Sequence, residues 1–366
     1  MRPVENKALT LIVPGSPDQR TGGYIYDARI VDGLRGLGWS VTVVGLEGRF
    51  PDADDAARQA MEAALSAIES GQQVVIDGLA LGAVPEAVAT HRERLILIGL
   101  VHHPLADETG LDPTEARRLL ASERSALAHC RAVIVTSAFT RRRLAELGLV
   151  AGQPVHVVEP GVDAAPLAPR VQQRLAGASP EDSPRLLCVA SLSPRKGQDL
   201  LLDALADLKH LRWSLRFVGS EARAPAFVRA LDAKIADLDL EDRVRRLGEA
   251  DTSGLEAAYR WADVCLLPSW YEGFGMVVTE ALVRGLPLIT TTGGALADTV
   301  PEAAALRVAP GRVDALREAL EIWLTDPTER SRLTQAAADE RLRLADWATA
   351  SRQFSKALDS GLEASP

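Results

Sequence analysis

Two carboxylates and two cations carry most of the chemical information in this chain. Glu272 and Glu280 stand eight positions apart in PSWYEGFGMVVTEAL, residues 268–282, where a glycine-containing loop leads into a helix expected from about Met276 to Arg284. A carboxylate accepts paired hydroxyls, so both positions suit sugar or ribose recognition. Backbone N–H groups around Gly275–Val277 would point at a phosphate. Glu280 sits among Val278, Ala281 and Leu282. Burying its charge costs several kcal/mol unless it is paired, so an inward Glu280 needs a partner. The plain alternative is a surface glutamate on an amphipathic helix.

Arg195 and Lys196 lie in Ser193-Pro194-Arg195-Lys196-Gly197, just after an apolar run and ahead of a helical period. Arginine clamps oxygens bidentately and lysine supplies a compact point charge, a combination that suits a diphosphate. A solvated Arg-Lys pair in a turn is the competing reading. Gly22 and Gly23 fall between the first apolar run and the first helix. Glycines there let a backbone approach an anion, although they also fit a structural turn, and the G-x-G-x-x-G dinucleotide spacing is absent. His102-His103-Pro104 follows LILIGLV. A histidine at a strand end can orient or polarise a reacting group. Neighbouring histidines on extended chain point opposite ways, which argues against a shared metal and leaves each open to a satisfied structural role. No Asp-x-Asp pair stands at a strand end, which removes the simplest magnesium site.

These residues need elements to hold them, and the pattern supplies an α/β fold. Apolar, β-branched runs at Leu9–Val13, Val41–Val44, Val74–Ile76, Leu95–Leu97, Ala132–Val135 and Val155–Val158 read as buried parallel strands. Leu186–Val189, Leu215–Val218, Val244–Leu247, Val264–Leu267, Leu288–Thr291 and Leu306–Ala309 repeat the pattern. Helical periods lie between them, for example Ile25, Ala28, Val31, Leu34 and Leu37 on one expected face. Strand–helix alternation of this kind predicts parallel sheets covered on both sides, with ligands outside the carboxyl ends of the strands. The proline-rich stretch Pro160 to Pro184 is the expected domain boundary.

The bulk composition narrows the function. A chain of 366 residues exceeds what one core usually organises, and 47% apolar with 25% charged residues excludes a disordered chain. The net charge of −9 argues against a nucleic-acid partner. Cys130, Cys188 and Cys265 are too few and scattered for a disulfide framework or a zinc cluster, and the last two sit in apolar runs as small core residues. The N-terminal apolar stretch is too short for a signal-peptide core, and no run reaches about 18 apolar residues. A cytoplasmic enzyme is expected.

Together these residues resemble glycosyltransferase family 4, the retaining group also called glycosyl transferases group 1. The motifs are the Gly22-Gly23 loop, Ser137 to Thr140 as SxFT, Pro160 to Asp163 as PGVD, SPRKG, the Glu-x7-Glu block with its EGFG loop, and Thr292-Gly293-Gly294. The resemblance implies the GT-B fold, two Rossmann-like doubly wound parallel-sheet domains facing across a cleft. Residues 1–168 would bind the acceptor, with a C-terminal helix of about 347–366 that could pack back on them, and residues 169–346 would bind the donor. It implies that Arg195 and Lys196 neutralise the donor diphosphate, and that Glu272 binds donor-sugar hydroxyls beside the amides of Gly273, Phe274 and Gly275. Met276 and Val277 amides would meet phosphate oxygens, and Glu280 would hold the ribose. Gly22 and Gly23 would approach the diphosphate, Gly219 would lie near the donor, and the segment Arg246 to Gly248 would flank the base. His103 is similar to the family histidine near the sugar's primary carbon, with His102 close by. The chain has Ala190-Ser191 where the family often has Gly-Arg, and Leu296-Ala297-Asp298 where it usually has Pro-Glu.

The implied activity is that of a retaining, metal-independent hexosyltransferase of the EC 2.4.1 class. It would use a UDP- or GDP-linked sugar as substrate, need no cofactor, and act on a hydroxyl of a glycan, lipid-linked or small-molecule acceptor. Arg117, Arg118, Arg124, Arg131 and Arg141 to Arg143 recur in the first half, as a solvated helix face or as a contact for anionic lipid headgroups at the inner membrane face. A GT-B-like epimerase or phosphorylase, or a non-catalytic sugar-binding subunit, would share the architecture.

Overall fold

Twelve short strands, every pairing parallel, form two six-stranded sheets in the computed structural model. It describes residues 7–177 and 183–363. The first six residues, Pro180 of the expected boundary and the last three residues of the expected C-terminal helix lie outside the described residues. The first sheet comprises β1 (Ala8–Pro14), β2 (Ser40–Leu46), β3 (Gln73–Asp77), β4 (Ile96–Val101), β5 (Ala132–Val135) and β6 (Val155–Val157), in the order β2-β1-β3-β4-β5-β6. The second comprises β7 (Arg185–Val189), β8 (Ser214–Val218), β9 (Val244–Arg246), β10 (Val264–Leu267), β11 (Leu288–Thr291) and β12 (Ala305–Val308), in the order β12-β11-β10-β7-β8-β9. Each strand overlaps an apolar run read from the sequence, and helices connect strand to strand, as a Rossmann-like domain requires.

The chain divides into two units, Met1–Gly161 with Ala345–Pro366, and Val162–Leu344. In the second unit the central strand β7 is covered on both faces. Leu186 and Cys188 of β7 join a cluster with Leu201, Leu205 and Trp323, while Leu187 between them joins Tyr259, Leu282 and Ala337. That is the period-two alternation of a strand covered on both sides.

The first helix, Gly22–Gly36, buries a different face from the one the sequence pattern predicts. Tyr26, Asp27, Ile30, Val31 and Leu34 point inward, while Ile25 and Leu37 are 38% and 45% exposed. At about 100° per residue, steps of three drift by about 60° each, so a run of i+3 positions winds off the buried face. The inward face therefore carries a carboxylate, Asp27. The helix Trp347–Glu363 packs on this first helix and ties down the edge of the first unit: Asp359 pairs with Lys7 at 2.9 Å, Ser355 Oγ accepts from Trp39 Nε1 at 3.1 Å, and Leu358 O accepts from Gln73 Nε2 at 3.1 Å. No helix among the described residues is long and apolar enough to cross a membrane.

The two helices cross at Gly33, where a Cβ would overlap Ser351 Oγ. Gly33→Ala should therefore destabilise the protein by about 1–3 kcal/mol, although alanine is favoured over glycine in a helix by about 1 kcal/mol. Ser351→Gly in the same chain should restore part of the loss. Urea unfolding of the two variants measures both effects, and an unchanged midpoint in Gly33→Ala would show that the crossing is not tight.

Candidate functional site

In the second sheet the strand order reverses between β7 and β10, and the loops leaving those two strands carry the cations and the first carboxylate. After β7 a single turn, Pro194–Lys196, ends at Gly197 with φ 65°. A side chain there would overlap the carbonyl oxygen of Pro268, so glycine is needed for the turn to lie against the loop after β10. The two loops are zipped by Trp270 N–H donating to Arg195 O at 2.8 Å and Arg195 Nη1 donating to Tyr271 O at 2.9 Å. On the far side, Gly293 and Gly294 admit the same loop: Ala295 N–H donates to Glu272 O at 2.8 Å, and a Cβ on Gly294 would overlap that oxygen.

Glu272 is the centre of this arrangement and only 7% exposed. Lys196 Nζ lies 2.5 Å from its Oε1, Ser269 Oγ donates to the same oxygen at 2.7 Å, and Arg195 Nη1 stands 3.6 Å from Oε2. Burial alone would push the carboxyl upward; Lys196, Arg195 and Ser269 outweigh it and hold Glu272 below the usual glutamate range. Burial pulls Lys196 down, and Glu272 offsets that only in part. The result is an ionised carboxylate with two cations around it at the carboxyl edge of the sheet.

Glu280 has the inward partner its apolar helix demands. It lies on the helix Met276–Leu282, shorter than the sequence implies, and its Oε2 accepts from Tyr259 Oη at 2.6 Å. Arg284 stacks 4.5 Å from the Tyr259 ring centroid, bonds Glu280 O and pairs with Glu256 at 2.7 Å. Burial raises the Glu280 carboxyl, with Tyr259 and Arg284 opposing it. The two glutamates are thus shifted in opposite directions. Gly273 and Phe274 lie in the loop between them, and Gly275, at φ 89°, caps the helix whose first residues are Met276 and Val277. Gly219 closes the turn after β8, where a side chain would overlap Ala190 O, and its N–H donates to Gly248 O at 2.8 Å. Arg246 pairs with Glu221 at 2.9 Å and Asp232 at 2.8 Å.

In the first unit the corresponding reversal lies between β1 and β3. Gly22 and Gly23 open the helix after β1, and a Cβ on Gly23 would meet the His102 ring at 3.4 Å. His102 Nε2 stands 3.4 Å from both Asp27 Oδ1 and Asp77 Oδ2. Burial lowers the imidazole, but the two aspartates outweigh it and raise it to about 10. His103 turns elsewhere, with Nε2 at 3.4 Å from Glu108 Oε2. Ser137 of the SxFT motif caps the helix Ala138–Glu146 by accepting from Thr140 N–H, and Thr136 and Thr140 hydroxyls lie 3.4 Å from His102 O. Several arginines of this half are tied internally: Arg124 to the carbonyls of Leu147 and Gly148, Arg143 to Asp107, and Arg118 to Asp52. Sequence reading missed Asp27, Asp77, Tyr259 and Ser269. Asp77 carried a usable signal, as the carboxylate that ends an apolar strand.

Residues 25–165 match the family model described as Glycosyltransferase Family 4, and residues 170–340 match the one described as Glycosyl transferases group 1. A D-inositol 3-phosphate glycosyltransferase of Kineococcus radiotolerans is 33% identical over 62% of this chain and 56% of its own length. An MMP alpha-(1->4)-mannosyltransferase of Mycolicibacterium hassiacum is 28% identical over 70% of this chain and 63% of its own. The chain thus spans little more than half the length of the curated relatives it matches. Among solved structures, sucrose-phosphate synthase from Thermosynechococcus elongatus superposes with a TM-score of 0.81 at 22% identity, covering 98% of this chain and 100% of that one. HepE of Anabaena in complex with UDP-glucose gives 0.74 at 17%, covering 96% and 99%. At these identities the two structures bear on the GT-B fold.

The turn after His102 and His103 rests on a buried acid, and this makes a pH test possible. Glu123 is 1% exposed, its Oε2 accepts from Leu105 N–H at 3.0 Å, and burial, aided by Asp107, raises its carboxyl to about 8. Between its ordinary 4.5 and about 8 the folded chain keeps a proton that the unfolded chain has lost, so stability falls as pH rises through that window. Glu123→Gln keeps an acceptor for Leu105 and removes the ionisation. It should match the wild type near pH 5 and exceed it by on the order of a few kcal/mol near pH 9. Urea unfolding at both pH values reads the difference; parallel pH profiles would rule it out.

Proposed function

We infer the activity from one premise: the chain belongs to glycosyltransferase family 4. We propose that it transfers a hexose, with retention of anomeric configuration, from a UDP- or GDP-linked sugar to a hydroxyl of a glycan, lipid-linked or small-molecule acceptor. The observation that carries this reading is the constellation of partly buried Lys196 and Arg195 around buried Glu272 at the strand-order reversal of the second sheet. Breaking an anomeric C–O bond leaves growing negative charge on the diphosphate, and prepositioned cations in a dry site stabilise that charge most effectively. Arg195 and Lys196 would take this role without a divalent ion, assisted by the amides of Met276 and Val277. As Lys196 turns to the phosphate, Glu272 is released to accept donor-sugar hydroxyls, with Gly273, Phe274 and Gly275 beside it, while Glu280 accepts the ribose hydroxyls.

The first unit would take the acceptor, with His103 and the Gly22-Gly23 loop as its site residues. The departing phosphate would help remove the acceptor's proton on the face it leaves. Three buried free cysteines fit a reducing compartment, and we assign the enzyme to the cytoplasm.

A thermal-shift screen of UDP, GDP and ADP tests the donor site directly. A nucleotide at about 100 times its dissociation constant should add about 2.7 kcal/mol of stability. Lys196→Ala and Glu280→Ala should each abolish the best nucleotide's shift or cut it sharply, and the wild type should release free nucleotide diphosphate from the matching nucleotide-sugar when acceptor is present. Wild-type shifts in both variants would remove the proposed donor pocket.

A further inference from the structure

A second charged cluster, in the first unit, is left unused by the donor chemistry. Asp27 comes from the inward face of the helix Gly22–Gly36, Asp77 is the last residue of β3, and His102 follows β4. Each offers one ligand atom, and the three atoms lie within 4.8 Å of one another. Asp27 is 6% exposed, and its Oδ1 and His102 Nε2, both buried, face each other at ion-pair distance with no well-formed hydrogen bond to either. Their separation of 3.4 Å, repeated from Nε2 to Asp77 Oδ2, is too long for a good N–H···O bond, which needs about 2.7–3.2 Å. One ring N–H shared between two carboxylates at that range satisfies neither fully.

The cavity beside Asp27 does not suit a water. Apart from Asp27 it is lined by apolar side chains, including Leu9, Leu11, Ile30, Leu34 and Phe354. A buried water needs about two to four polar partners. The charge count also points one way. Two carboxylates and an imidazolium leave a net −1 in a buried site, whereas two carboxylates, a neutral imidazole and a divalent ion leave none. Two ligands at about 2.0–2.1 Å from a tetrahedral ion stand about 3.3–3.4 Å apart, which is the spacing found on both sides of Nε2. Asp77 is already oriented for this, since its Oδ1 accepts from Leu79 N–H at 2.9 Å and leaves Oδ2 facing the ring.

We propose that Asp27, Asp77 and His102 form a binding site for one divalent first-row transition ion of the zinc type. A mixed imidazole and carboxylate set suits such an ion better than magnesium, which takes oxygen ligands. Three protein ligands leave the fourth position to water or an exchangeable oxygen ligand. The ion ties the first helix to the ends of β3 and β4, and it is independent of the donor reading, which places the diphosphate on Arg195 and Lys196.

Cobalt(II) titration of tag-free, chelator-stripped protein tests the site through the intense visible absorption of a tetrahedral ion. One equivalent of cobalt should bind, zinc should displace it, and Asp27→Asn and His102→Gln should each weaken binding more than about tenfold. Circular dichroism checks that each variant folds, and His102→Gln, at the partly exposed side of the cluster, carries the comparison if Asp27→Asn does not. Absence of the tetrahedral band in the wild type, or wild-type binding in the folded variants, would overturn the assignment and leave an imidazolium shared between two acids.

Discussion

A carboxylate removed from water has to be answered by cations or donors, and around Glu272 that demand organises two loops and the ends of two strands. Lys196 and Arg195 reach it from the turn after β7, and Ser269 reaches it from its own loop. Backbones must come close for these side chains to meet, which is why Gly197, Gly293 and Gly294 stand at contacts where a Cβ would overlap a carbonyl oxygen. The arrangement is a poor way to gain stability alone. Buried ion pairs roughly break even against apolar packing of the same volume, because desolvation offsets the attraction. A charge cluster built at such cost makes sense as a preformed electrostatic environment, in which little reorganisation remains when new charge develops.

The topology decides where such a cluster can stand. In a parallel sheet every strand ends at the same edge, and where the order reverses, the connecting helices leave on opposite faces and open a crevice between their loops. The second sheet reverses at β7 and β10, whose loops hold the cations and Glu272. The first reverses at β1 and β3; Gly23 and Asp27 follow β1, and Asp77 ends β3. In each unit a charged cluster thus stands at the carboxyl ends of the strands beside the reversal.

Much of this was legible in the sequence, and the rest was hidden for a specific reason. The strands were readable because a strand buried on both faces is a continuous apolar run, as in Val264–Leu267, which the structure reproduces at both ends. The Arg-Lys pair and the Glu-x7-Glu block were readable because each lies within one loop or one loop and its helix. Partners supplied across the sheet were not. Tyr259 precedes Glu280 by a whole strand, and Asp27, Asp77 and His102 come from three separate crossovers; nothing local in the sequence couples them. The face of the first helix was misread because Ile25 and Leu37 are apolar yet exposed, while Asp27 is charged yet buried. A periodicity argument sorts residues by polarity, and it fails where a charge is buried.

The opposed shifts of the two glutamates complete the physical picture of the second unit. Glu272 is held ionised by its cations, and in the donor site we propose a diphosphate would have to compete with that carboxylate for Lys196. Glu280 is shielded, its carboxyl raised by burial and steadied by the Tyr259 hydroxyl on one oxygen. A carboxylate has acceptor capacity beyond one such bond, so a diol can add hydrogen bonds there without displacing Tyr259. In the donor site we propose, recognition at Glu280 would be additive, while at Glu272 it would be an exchange. Only the exchange would be coupled to negative charge at Lys196, and it is at that residue that phosphate charge and sugar contacts would become one event.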